Sequence, residues 1–334
     1  RSGKTQQEIA LRLDMSEKHL SEILNWKKNI TPDTALKLEQ VFWGKASFWI
    51  NLQAKHDEAL ARQTMEENIK SQIPLLERFK DCYSDLAKLW YVPSSKNKEE
   101  RVQSLLSFFE VTSLANVGQI SQVAFRKSSK HVISDESVAS WLRVGELMAK
   151  KIEVAKYDPS NLDCIIWSIR EFTNDVSSFG KNLINLWKEY WIKFIFVPRF
   201  SHAPINGATR WINGIPVIQL SDMWKKFDRI IFTLFHELWH VALHPAESFL
   251  DESVWMDDAM RKELDADNFA QEKLIPSDFN FKTKVNEMMQ SELAVVKYAR
   301  ELWIDPSILA WRLQRETWSY SLHHKLMRQV AIIH

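Results

Sequence analysis

The spacing of apolar residues constrains this chain most: it keeps a helical period from residue 4 to about residue 188 and then changes once. Ile9, Leu13, Leu20, Ile23 and Leu24 recur at three- and four-residue intervals, the pattern that lines one face of a helix. Thr5 and Ser16 stand just before two such runs, where a hydroxyl can accept from the first unsatisfied N–H groups. Residues 4–63 therefore read as short helices. Residues 64–188 read as longer charged amphipathic helices, interrupted at Val92-Pro93-Ser94-Ser95, at 126–131 and at Tyr157-Asp158-Pro159-Ser160.

From Trp191 the period shortens. Residues 193–197 form a β-rich apolar run closed by Pro198. Asn213-Gly214, between 208–212 and 215–220, supplies the two positive φ values of a type I′ hairpin turn. Residues 228–244 follow as a buried helix, and 257–274 as a second one stopped by Pro276. The expected fold is α+β and mainly α, in three segments: an all-α domain of short helices (1–63), a helical connector (64–188) and a domain in which a small sheet packs on the buried helix (189–334).

Composition removes several classes of function. Lys and Arg number 44 against 43 Asp and Glu, so the net charge of +1 excludes a polybasic chain coated with nucleic acid while allowing a local DNA-binding face. There are seven glycines and neither G-x-G-x-x-G nor G-x-x-x-x-G-K-[ST], so the usual backbone cradles for phosphate are absent. Cys82 and Cys164 are too few for a disulfide framework or a Cys-rich zinc site. The longest apolar stretch, 230–243, is broken by His236, Glu237 and His240 and is too short to span a bilayer. With no visible signal peptide, the expected compartment is the cytoplasm, with no membrane partner. Of the 15 tryptophans, Trp141, Trp187, Trp191, Trp224, Trp303 and Trp311 are expected in core and interdomain packing.

The buried helix carries His236-Glu237-Leu238-Trp239-His240, the H-E-x-x-H pattern. Two histidines four apart lie about 40° apart around a helix and about 6 Å along it, so both imidazoles can reach one tetrahedral ion. Glu237 stands beside that ion, where it can take a proton from water. A catalytic site needs a third ligand. His244 is about 12 Å along the axis from His236, too far to share the ion. Glu263 on the next helix is the better candidate, with Asp265 and Asp267 as substitutes. Ala266 and Ala270 would let the two helices approach closely, and Asp267 could hold a ligating imidazole by its second nitrogen. Zn2+ is the expected cofactor. His202, Tyr190 and His244 are candidates to stabilise an oxyanion.

Residues 232–240, followed by Glu263-Leu264-Asp265-Ala266-Asp267-Asn268-Phe269-Ala270 and Leu274-Ile275-Pro276, resemble the ImmA/IrrE family of metallopeptidases. Gly207-Ala208-Thr209-Arg210-Trp211 and Pro216-Val217-Ile218-Gln219-Leu220-Ser221 resemble the strands preceding the metal helix in that family. The resemblance implies that His236, His240 and Glu263 are zinc ligands and Glu237 the catalytic base. The family often has Gly where this chain has Trp239.

At the other end, Thr5–Leu13, a turn at Asp14-Met15, and a second helix from Ser16 to Asn25 have the layout of a helix-turn-helix. Glu17, Lys18, His19 and Ser21 would face base edges, and Gln6, Asn25, Lys27 and Lys28 would reach phosphates. Residues 1–62 carry ten basic and eight acidic side chains, a net of +2. Ile30-Thr31-Pro32-Asp33-Thr34-Ala35-Leu36-Lys37-Leu38-Glu39 and Ser47-Phe48-Trp49-Ile50-Asn51-Leu52-Gln53 resemble the HigA-like branch of the XRE helix-turn-helix antitoxins, whose domains usually open with one further helix. Ala124-Phe125-Arg126-Lys127-Ser128 and Trp141-Leu142-Arg143-Val144-Gly145-Glu146 resemble a subfamily in which such a reader precedes an ImmA/IrrE domain. That resemblance implies an antitoxin that binds operator DNA as a homodimer and restrains a cognate toxin or acts on a repressor. The alternatives are a protease-like domain that only binds the toxin, and a stress-response protease acting on a separate repressor.

Overall fold

The computed structural model describes residues 3–119, 134–153, 157–203, 205–221, 226–243 and 256–329, and the chain divides into two compact units at Pro74–Leu75. The first unit is all-helical: α1 (Gln6–Arg12), α2 (Glu17–Leu24), α3 (Pro32–Phe42) and α4 (Ala46–Ser71). Each of the first three helices starts on a hydroxyl cap. Thr5 accepts from the Glu8 amide at 3.2 Å, Ser16 from His19 at 3.1 Å and Thr31 from Thr34 at 3.2 Å, with Pro32 in the first turn where no amide is needed. Ala10, Leu13, Leu20 and Leu38 form the core, and Ile9, Met15, Ile30, Val41 and Trp49 pack around it. The buried Gln53 of α4 accepts from the Ile30 amide at 2.9 Å, tying α4 to the turn before α3. Because α4 runs unbroken through residue 63, the first unit ends at Pro74 instead of the expected 63.

The second unit, Leu75–His334, is one compact body, and no division falls at residue 188. It contains α5 (Lys80–Lys88), α6 (Lys98–Phe109), α7 (Asp135–Lys150), α8 (Leu162–Phe172), α9 (Phe179–Tyr190), β1 (Lys193–Phe196), β2 (Gly207–Ile212) and β3 (Ile215–Leu220). Then come α10 (Phe227–Leu243), α11 (Met256–Leu274), α12 (Phe281–Gln290), α13 (Glu292–Glu301) and α14 (Pro306–Thr317). The sheet order is β1-β3-β2: β2 and β3 form the expected antiparallel hairpin across Asn213 and Gly214, at φ 52° and 75°. β1 pairs parallel to β3, with Phe196 opposite Leu220.

Successive β3 residues serve opposite faces. Ile218 and Leu220 join the large core with Phe227, Ile231, Leu234, Phe235 and Leu238 of α10. Gln219 faces α7, donating to the Trp141 carbonyl at 2.7 Å and accepting from Arg210 at 3.2 Å. A Cβ on Gly145 would collide with the Gln219 carboxamide, so a larger residue there would displace that side chain and its bond to Trp141. Trp141 is fully buried and donates to the Val197 carbonyl at 3.2 Å. Arg170 of α8 donates to the carbonyls of Lys273, in the last turn of α11, and of Leu302, the residue after α13, at 2.8 and 2.7 Å. Thr173 accepts from the Asp305 amide at 3.2 Å.

The expected tryptophan packing is met only in part. Trp141 is core and Trp311 lies against Phe232, with ring centroids 4.9 Å apart, but Trp191 and Trp303 are exposed. Both occupy the residue that ends a helix in a left-handed conformation, which points an indole outward. Trp224, the Trp187 side chain and Ala124–Ser128 lie outside the described residues.

Candidate functional site

The hairpin and α10 bring the motif residues together. His236, His240 and Glu263 each present a ligand atom within 4.8 Å of the others'. The two imidazole Nε2 atoms are 3.3 Å apart, and Glu263 lies 3.2 Å from His236 Nε2 and 3.6 Å from His240 Nε2. Ala266 and Ala270 are fully buried on α11, which is what allows it to lie close on α10. Asp267, one turn after Glu263, sits 2.9 Å from His236 Nδ1 and so turns Nε2 toward the cluster. Asp265 is exposed and stands outside it.

The electrostatics fit a cation. Burial opposes a charged His236, but its hydrogen bonds to Asp267 and Glu263 and the nearby Glu237 outweigh that and raise it to about 10. The His236 contact, outweighing burial, holds the Glu263 carboxyl below its ordinary range. Two acidic groups thus compensate the space between the imidazoles, and the donor set of two nitrogens and one carboxylate matches what a catalytic zinc uses.

Glu237 is a separate piece of the site. It is buried beside the cluster, and Thr209 of β2 donates to its Oε2 at 2.7 Å. Burial raises its carboxyl to about 7, against the opposing pull of His236 and Thr209. The strand comes this close because residue 207 is glycine: a Cβ there would meet Glu237 Oε1 at 2.7 Å, Thr233 Cγ2 at 2.8 Å and Leu220 Cδ2 at 2.9 Å. Gly207 and Thr209 are not among the site residues that the sequence motif identifies. The signal available was the glycine immediately before an apolar strand, which marks close approach.

Of the candidates for an oxyanion role, His202 pairs with Asp81 at 3.2 Å and Tyr190 packs on the core at the end of α9, while His244 lies outside the described residues. Trp239 stacks on Phe269 of α11, with centroids 5.4 Å apart.

The first unit holds a second constellation. Glu17, Lys18, His19 and Ser21 lie on α2, with the first two exposed; Gln6 opens α1, also exposed. Asn25 caps α2 and donates to the Ser21 carbonyl at 2.8 Å, so its amide is engaged locally. Lys28 pairs with Glu22 at 2.9 Å and approaches His19 Nδ1 at 3.5 Å, leaving Lys18 and Lys27 as the exposed cations of this group. Trp26 stacks on His56 at 3.8 Å.

No helix among the described residues is long and apolar enough to cross a membrane. Virulence-associated protein I of Dichelobacter nodosus is 36% identical over 73 residues, which are 22% of this chain and 67% of that protein. Virulence-associated protein A of the same organism is 48% identical over 56 residues, 16% of this chain and 53% of that protein. No solved structure matches the chain at a significant level. Residues 1–42 match the family model described as helix-turn-helix, and they contain the capped α1–turn–α2 pair. Through this DNA-binding segment the chain belongs to the helix-turn-helix family.

Proposed function

We propose that the second unit is a divalent-metal peptidase of the ImmA/IrrE type, carried by a helix-turn-helix regulator that acts as an antitoxin or on a repressor. The observation that carries this reading is one cluster of His236, His240 and Glu263 beside the buried Glu237 carboxylate that Thr209 holds. His236, His240 and Glu263 would hold the ion, with Asp267 fixing the His236 ring. Zinc bound there supplies a Lewis acid that acidifies water and polarises a carbonyl.

The chain's own groups supply the rest. Thr209 holds Oε2 of Glu237, so Oε1 is the atom that accepts a proton from the attacking water and returns it to the departing amine. β2 pairs on one side with β3 and on the other has no strand partner among the described residues, so an extended peptide can add there by main-chain hydrogen bonds. The first unit would bind operator DNA as a homodimer, each α2 entering a major groove. The names of the two partial relatives support the antitoxin reading only by association.

The test is metal analysis of the purified protein followed by cleavage of the proteins encoded beside it. About one zinc per chain, with cleavage abolished in Glu237→Gln and metal retained, is the expected result. Loss of zinc binding in His236→Ala with unchanged cleavage would sink the enzymatic reading. If Glu237→Gln still restrains the toxin in cells while deletion of the second unit does not, the unit is a binding module.

A further inference from the structure

Twelve non-glycine residues adopt left-handed backbone conformations among the described residues, and six of them are tryptophan: Trp26, Trp43, Trp90, Trp191, Trp303 and Trp318, with φ from 54° to 62°. Five of the other six are Asp14, His202, Asn213, Asn280 and His323, the residue types that tolerate this region. Tryptophan is not such a type; for a bulky side chain the region costs about 1–2 kcal/mol. Glycine fills the region only at Gly3 and Gly214.

All six tryptophans stop a helix. Trp26, Trp90 and Trp303 complete the paired terminal hydrogen bonds characteristic of a glycine stop: each donates to the carbonyl three residues back, and the next residue donates to the carbonyl five back. Thus Trp90 donates to Ala87 at 3.2 Å and Tyr91 to Leu86 at 3.0 Å. Trp43, Trp191 and Trp318 are the left-handed caps of α3, α9 and α14. Burial does not repay the conformation: Trp43, Trp90, Trp303 and Trp318 are 94%, 93%, 71% and 81% exposed. Strain kept for function gathers at one site, but these six end six different helices.

Trp141 and Trp49 are of another kind. Trp141 is 1% exposed with its indole N–H bonded to Val197, and Trp49 packs edge-on to Phe48 in the first unit's core. These eight tryptophans therefore fall into two groups, one packed against neighbouring side chains and one at helix stops of the kind glycine fills. The whole-chain arithmetic agrees. At the usual roughly 7% the chain would hold about 23 glycines. It has seven, with 15 tryptophans.

We infer that the codon specifying Trp26, Trp43, Trp90, Trp191, Trp303 and Trp318 is decoded as glycine in the cells that make this protein, while Trp49 and Trp141 come from the ordinary tryptophan codon. UGA is the codon that differs in this way, read as tryptophan by some bacterial translation systems and as glycine by others. The native protein then carries six glycine helix stops and loses four strongly exposed indoles. The codon at Trp239, which stands between the two motif histidines in sequence, belongs to the same experiment, because glycine there would remove the indole that now stacks on Phe269.

The experiment is to read the gene's codons and to map the protein purified from its own cells by tandem mass spectrometry. One codon shared by the six and absent at 49 and 141, with glycine-containing peptides at the six, is the expected result. Tryptophan recovered at the six positions, or one codon serving all eight, overturns the inference. As a check that needs no native cells, the full chain made with glycine at all six should melt higher than the chain made with tryptophan. A lower melting point would also overturn it.

Discussion

Replacing Gly207 by alanine tests the coupling between the edge strand and Glu237. The added Cβ meets three side chains below 3.0 Å, and the Glu237 carboxylate, Thr233 methyl and Leu220 methyl cannot all yield, because Leu220 is in the core and Glu237 is held by Thr209. Restoring ordinary contact at 3.4 Å moves Oε1 by about 0.7 Å. Overpacking of this kind costs about 1–3 kcal/mol. If the second unit is the peptidase proposed above, a displacement approaching 1 Å at its base costs up to about a hundredfold in rate, so kcat should fall roughly ten- to a hundredfold. Urea unfolding followed by circular dichroism reads the first effect, and steady-state cleavage with metal content measured in parallel reads the second. Equal stability and equal kcat in a fully metallated Gly207→Ala protein would refute the argument that the glycine seats the carboxylate.

Other outcomes follow from the same structure. Trp90→Gly, Trp303→Gly and Trp318→Gly should each stabilise by about 0.5–1 kcal/mol, since glycine avoids the left-handed penalty and little indole burial is lost. The matching alanine variants should gain nothing, and thermal melts compare the two sets. Asp228 is fully buried, and burial, with a smaller push from Asp305, raises its carboxyl to about 6 against the pull of Lys226 and Arg229. Its unfolded value is 3.8, so the native chain binds more protons between those pH values and loses stability as pH rises through them. Asp228→Asn should then be the more stable form at neutral pH, by up to about 3 kcal/mol, with the gap closing near pH 4. Arg170→Ala, which leaves the Lys273 and Leu302 carbonyls without their donor, should cost about 2–4 kcal/mol in urea melts. Lys27→Ala should weaken binding to DNA from upstream of the gene and lower the salt slope by about one, whereas Lys18→Ala, at a base edge, should relax sequence preference.

Local chemistry carried much of the fold in legible form. Thr5 and Ser16 marked helix starts, Asn213-Gly214 the hairpin, and Pro276 the end of α11, because each acts through its immediate neighbours. The cluster of His236, His240 and Glu263 was legible for the same reason on two faces, helical spacing on one helix and paired alanines on the next. The parallel partner of β1 was not, since Lys193 meets Val217 through pairing that no local pattern encodes. Nor was the hold of Thr209 on Glu237, which depends on a missing Cβ at Gly207. The expected boundary at residue 63 gave way to a helix with no glycine or proline to stop it. The tryptophans misled most: spacing placed Trp191 and Trp303 beside apolar residues, while the backbone put them at helix ends, where the side chain points to water.

The Arg170 clamp sets a timetable for synthesis. Its carbonyl partners lie 103 and 132 residues downstream, and Thr173 waits equally long for Asp305. At about 5–20 residues per second, the ribosome takes roughly 7 to 26 s to deliver the later of them. During that interval Ile165, Ile166 and Ile169 of α8 lack part of the core that buries them. The first unit, whose contacts are local, can be complete well before. A nascent chain of this protein therefore emerges with its first helical core already packed and an apolar helix still unburied, the stage at which chaperones or a co-translated partner have their longest opportunity to engage it.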